Sequence, residues 1–114
     1  VDESVPNYWL TALLIDENAM AAQVRGEREV LWNTEAGKST PMEILEALQY
    51  FHAEGRPIWK PMHLQPVYKG EEFITEGKEV STDIFSRGLC LPSDIKMTKE
   101  VQEIVIEIIK SCFG

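Results

Sequence analysis

An α/β layer, with a small sheet and helices packed on one of its faces, is the fold class this sequence predicts, and three observations predict it. Residues 8–16, "YWLTALLID", are apolar almost without a break. Residues 40–55 carry helix start and stop signals, and residues from 98 onward repeat apolar side chains at helical spacing. At 114 residues, 44% hydrophobic and 26% charged, the chain matches one domain that buries roughly two-thirds of its unfolded surface. Residues 1–114 are therefore read as a single domain, and the start on Val1 rather than Met suggests a piece of a longer protein.

The elements follow in order. The apolar run 8–16 reads as an opening strand covered on both faces. Residues 17–39 show no sustained periodicity, and their mixed charges and two glycines predict an irregular insertion. In "TPMEILEALQYFHAEG" Thr40 suits the N-cap and Pro41 the first helical position. Glu43 completes a capping box, and Gly55 is placed to end the helix. Ile44, Leu45, Leu48 and Phe51 form its expected buried stripe, and His52 suits the last turn, where a cation complements the helix dipole. A strand is expected next, then the polar turn "EEFITEGKEV" and a short helix, "STDIFSRG", capped by Ser81 and stopped at Gly88. "LCLP" reads as a brief buried strand. From Thr98 a long amphipathic helix places Val101, Ile104, Val105, Ile108, Ile109, Cys112 and Phe113 on its apolar side. That order of elements implies the layered fold.

Composition also excludes functions. A net charge of −8, with 11 Lys and Arg scattered along the chain, leaves no basic footprint for nucleic acid or an anionic membrane. No apolar run reaches the roughly 18 residues needed to span a bilayer. Cys90 and Cys112 lie in apolar contexts and read as reduced thiols, which fits a cytoplasmic setting. "GKST" at 37–40 resembles the tail of a phosphate-binding loop, but Trp32 stands where the first glycine is required. Carboxylates are plentiful, yet none shows metal-ligand or acid–base spacing, and a solvated acidic face accounts for them.

"GRPIWKPMHLQP", residues 55–66, is different. Arg56, Lys60 and Gln65 each precede a proline, which predicts a stiff extended rail on which His63 and Gln65 share a side and Trp59 points opposite to Lys60. Such a segment suits binding, because little entropy remains to be lost when a ligand arrives. It suits equally a proline-rich connector whose Trp59 and Met62 plug the core.

The stretches "NYWLTALLID" (7–16), "GRPIWKPMHLQPVY" (55–68) and "IFSRGLCLPSDIKMTKE" (84–100), in that order, resemble the C-terminal small domain of DegT/StrS-type sugar aminotransferases. They cover about a third of the chain, and residues 17–39 are longer than that pattern. The resemblance implies a fold-type-I small domain with a mainly antiparallel sheet, packed beside an N-terminal large domain in a homodimer. It implies transfer of an amino group from glutamate to a nucleotide-linked keto sugar for glycan biosynthesis, with pyridoxal phosphate as cofactor. The Schiff-base lysine and the cofactor's other partners belong to the large domain, so this chain by itself is expected to be inactive. Arg56, Trp59, His63 and Gln65 match the segment beside the active-site mouth: His63 and Gln65 for sugar contacts, Arg56 for a carboxylate or a structural ion pair. The alternative is a free-standing, non-catalytic α/β binding or interaction domain.

Overall fold

The computed structural model describes residues 4–25 and 28–114; Val1, and Gly26 and Glu27 within the expected insertion, lie outside them. The elements are β1 (Ala12–Leu14), β2 (Gln23–Arg25), β3 (Val30–Trp32), α1 (Pro41–Tyr50), β4 (Arg56–Pro57), α2 (Val80–Arg87), β5 (Gly88–Cys90) and α3 (Lys99–Ser111). An antiparallel three-stranded sheet has the order β1-β5-β4, with Leu89 opposite both Leu13 and Pro57. Pro57 is tolerated because β4 is an edge strand with one neighbour. Helix α1 packs against α3, β4 and β5. The core between them consists of Ile15, Ile44, Leu45, Leu48, Leu89, Val105 and Ile108. This is the α+β layer expected.

Local chemistry explains most boundaries. Thr40 Oγ1 accepts the Glu43 N–H at 3.1 Å and starts α1 with Pro41 in its first turn. The Glu43 carboxylate accepts from the Ser39 hydroxyl at 3.0 Å instead of closing the capping box on Thr40. The helix ends earlier than Gly55: His52, at φ 59°, takes the left-handed position, and the Ala53 N–H reaches Leu48 O at 2.9 Å. Gly55 has a packing role, since a Cβ there would lie 2.7 Å from Leu45 Cδ2. Phe51 falls beyond the helix and is exposed, so the buried stripe is Ile44, Leu45 and Leu48.

Four further expectations change. The opening strand shrinks to three residues, because Tyr8 has a positive φ and β1 pairs only with β5. As an edge strand it leaves Ala12 and Leu14 exposed and is not covered on both faces. Residues 17–39 hold an antiparallel hairpin, β2–β3, in which Val24 and Leu31 face outward while Gln23, Arg25, Val30 and Trp32 are half-buried. The segments that lead into and out of it are joined by a parallel bridge from Met20 to Ser39, just before α1 begins. Helix α2 starts after Glu79, and Ser81 lies within it; Gly88 does end it. On α3, capped by Thr98 as expected, only Val105 and Ile108 are fully buried, and Val101 and Ile104 stay exposed.

Candidate functional site

The prolines act only on their immediate predecessors. Gln65, before Pro66, is extended at φ −75° and ψ 141°. His63 precedes no proline, and the chain turns there: residues Met62–Leu64 and Pro66–Tyr68 form two 3₁₀ turns. Residues 55–66 are therefore not one extended rail, and strand alternation does not place His63 beside Gln65.

Tertiary contacts place them instead. Helix α2 ends on Gly88, whose backbone approach to Ile58 draws the proline segment against α2. His63 is half-buried, its ring stacked on Phe73 with centroids 3.7 Å apart. Its Nε2 lies 3.1 Å from Thr82 Oγ1 and 3.6 Å from Glu79 Oε2. The Thr82 hydroxyl donates its one proton to Glu79 Oε2 at 2.9 Å, so Thr82 Oγ1 accepts from His63 Nε2–H. Glu79 and Thr82 thus fix the tautomer, leaving His63 Nδ1 as a hydrogen-bond acceptor when the ring is neutral. Gln65 Nε2 reaches Lys60 O at 3.4 Å, steadying the turn that carries it.

His63 and Gln65 line one cavity of about 590 Å3, walled also by Lys60, Lys69, Met42 of α1 and Phe85 of α2. The fourth wall is the hairpin, through Arg25 and Val30. Arg56 and Trp59 lie apart, in a second cavity of about 610 Å3 with Trp9 and Asp94. Trp59 packs at a tilt against Trp9, centroids 5.9 Å apart, and remains exposed, so it does not plug the core. Arg56 forms a surface pair with Glu54, Nη2 to Oε1 at 2.6 Å. The four expected site residues therefore divide into two pairs.

Arg25 is the residue that sequence reasoning missed. Its guanidinium sits 4.2 Å over the Phe85 ring, and burial pulls its pKa below the ordinary arginine value. In sequence it lies within an aperiodic stretch, and only the pairing of β2 with β3 reveals where it goes. Among the described residues no carboxylate lines this cavity, although the chain carries 19 acidic residues against 11 basic ones.

The residues present do not fit a pyridoxal phosphate site. A Schiff-base lysine must be activated by desolvation or a neighbouring charge. Lys38 alone among the lysines is half-buried, and it pairs with Glu35 at 2.8 Å; the others are exposed. Among the described residues no three metal-ligating side chains gather, and no helix is long and apolar enough to cross a membrane.

Comparison with known proteins gives the cavity its context. The crystal structure of a DegT DnrJ EryC1 StrS aminotransferase from Brucella abortus matches 68% of this chain, and 21% of its own, at 27% identity with a TM-score of 0.56. The protein named "Putative pyridoxal phosphate-dependent aminotransferase EpsN" from Bacillus subtilis (strain 168) is 32% identical over 111 residues, which are 96% of this chain. The chain spans about a quarter of that relative's length (24%). The family pattern described as DegT/DnrJ/EryC1/StrS aminotransferase matches residues 14–110, hairpin included, and the chain belongs to that family.

Proposed function

We propose that the protein bearing this chain transfers an amino group from glutamate to a keto group of a nucleotide-linked sugar, and that this chain supplies part of the acceptor site. Pyridoxal phosphate, held by a larger N-terminal domain and not by these residues, would supply the electron sink that amino transfer requires. A homodimer in the cytoplasm fits the reading, which the two free cysteines support.

The observation that carries the proposal is the braced His63. Glu79 and Thr82 hold its ring in one tautomer at the wall of a cavity that Gln65 shares. A fixed acceptor beside an amide suits a polyhydroxylated ligand, because rigid polar groups recognise hydroxyls at low entropic cost. The exposed Trp9–Trp59 pair and Arg56 flank the second cavity and would line the approach to the site.

The full-length protein, converted to the amine form of its cofactor, tests this directly. Adding a nucleotide-linked keto sugar should restore the aldehyde form's absorbance within one turnover. A response to 2-oxoglutarate but to none of a panel of keto sugars would refute the sugar assignment. No response to either would refute amino transfer.

A further inference from the structure

Hydrogen-bond direction is fixed at two side chains of the cavity. The Thr82 hydroxyl gives its one proton to Glu79 Oε2, so the ring proton of neutral His63 stays on Nε2 and Nδ1 keeps its lone pair. Stacking on Phe73, 16° from parallel, sets the plane in which that lone pair lies. Gln65 is oriented by the same logic. Its Nε2 lies 3.4 Å from Lys60 O and 3.4 Å from Met62 Sδ, two atoms that only accept, so both amide protons are used within the turn and Oε1 is left over. A flipped amide would set its oxygen against the Lys60 carbonyl oxygen. His63 Nδ1 and Gln65 Oε1 have no hydrogen-bond partner among the described residues, and, unlike Gln23 Oε1, neither is closed off from water. The polar atoms that these two residues hold out to a ligand therefore accept and do not donate. Of the cations on the other walls, Lys60 and Lys69 are exposed on flexible stems and fix no direction. Arg25 turns its face to Phe85, with Nε and Nη2 closed off from water.

We propose that His63 and Gln65 select the ligand by hydrogen-bond direction: the groups they meet must be donors, free hydroxyls or N–H, and a sugar with an ether, a fluorine or nothing in those places is rejected. An acceptor facing an acceptor opposes two lone pairs and leaves both groups unsatisfied, which makes the discrimination steep. The inference rests on reading this cavity as the acceptor site, and it narrows the substrate class to keto sugars that carry at least two unsubstituted donor groups besides the keto carbon. A keto oxygen only accepts, so these two residues hold the sugar away from its reacting carbon.

Titration calorimetry on the full-length holoenzyme, with its cofactor in the aldehyde form, tests the direction, because that form has no amino group to pass on and binding is read without chemistry. The probes are a nucleotide-linked keto sugar that the protein converts, and analogues in which each sugar hydroxyl in turn is replaced by hydrogen or by fluorine. Hydrogen removes donor and acceptor alike, whereas fluorine removes the donor and keeps a weak acceptor. At two positions, or at one if the other donor is an N–H, the fluoro analogue should bind roughly tenfold more weakly than the parent and no better than the deoxy analogue. His63→Phe, which keeps a ring against Phe73, or Gln65→Met, which keeps the chain length, should abolish that penalty. Fluoro analogues bound within about twofold of the parent at every position would overturn the proposal. So would fluoro analogues bound better than the deoxy ones wherever a deoxy penalty is found. Should either variant fail to fold, the analogues on the unsubstituted protein still decide. Nitrogen NMR of the holoenzyme with isotopically labelled histidine gives a second reading that needs no ligand: the proton of neutral His63 is expected on Nε2, and a proton on Nδ1 overturns the proposal. Conversion of the parent keto sugar separates the two readings. Slower conversion in both variants with fluoro analogues bound as well as the parent removes the direction alone, whereas unchanged conversion in both variants, or a protein that converts no keto sugar, removes the acceptor-site reading and the direction with it.

Discussion

Replacing Gly88 with alanine should destabilise the chain by about 2 kcal/mol. The backbone there, φ −100° and ψ 151°, suits alanine, so torsional strain plays no part. The obstacle is space. A Cβ would lie 2.5 Å from the Ile84 carbonyl oxygen, 2.6 Å from Ile58 Cγ1 and 3.1 Å from Leu14 Cδ2. Carbon atoms are best separated by about 3.5–4.0 Å, and overpacking of this kind costs about 1–3 kcal/mol. The upper half of that range applies because the closest neighbour is backbone, at the end of α2, and cannot rotate aside. Against it stands a gain of about 0.4–1 kcal/mol from the stiffer unfolded chain, which leaves a net loss near 2 kcal/mol. For a domain of this size the melting temperature should fall by roughly 8 °C. Because Ile58 adjoins Trp59 and α2 carries Thr82, tryptophan emission in the folded state should shift as well. Gly37 is a control with the opposite physics: its φ is 76° with nothing within 4 Å, so alanine costs backbone strain of about 1 kcal/mol without steric conflict. Circular dichroism melts and fluorescence spectra of both variants decide the matter. A Gly88→Ala protein that melts at or above the unsubstituted temperature would refute the packing argument.

Two other outcomes follow from titratable groups. The Asp83 carboxyl is held below its ordinary range, first by the hydrogen bond from Arg87 and then by that cation's charge. The stability it contributes is therefore present above about pH 4 and is lost as pH falls through the depressed folded value. Asp83→Asn should flatten the acid limb of a melting-temperature profile, and identical limbs for the two proteins would contradict the pairing. Burial raises the pKa of the Cys90 thiol, and its side chain is almost inaccessible, so iodoacetamide should label Cys112 well before Cys90 in the folded chain and both alike in urea. Faster labelling of Cys90 would place it outside the core.

What the sequence disclosed followed from how local the cause was. Thr40, Pro41 and the Ile44, Leu45, Leu48 spacing specify α1 within one stretch of chain, and the structure repeats them. Thr98 and the Val105–Ile108 pair do the same for α3. The hairpin was illegible because each of its strands is three residues long, too short for a period of two to register. The proline segment misled for a different reason: proline restrains only the residue before it, and His63 was free to turn toward Thr82, nineteen residues away. Its partners Phe73, Glu79 and Thr82 lie in a polar turn and a short helix whose sequence carries no sign of the contact. Arg25 depended on three separate elements meeting, the hairpin, Phe85 of α2 and the proline segment, and no local pattern encodes that.

The central claim is that His63 and Gln65 belong to the acceptor side of an amino-transfer site, and separating the two half-reactions in the full-length protein tests it most directly. Alanine at either position removes a hydrogen bond to a polar ligand, worth on the order of 1–3 kcal/mol. Keto-sugar kcat/KM should then fall roughly tenfold to a hundredfold, while conversion of the cofactor by glutamate stays unchanged. Equal losses in both half-reactions would show that residues 55–66 only brace the domain and would contradict the account.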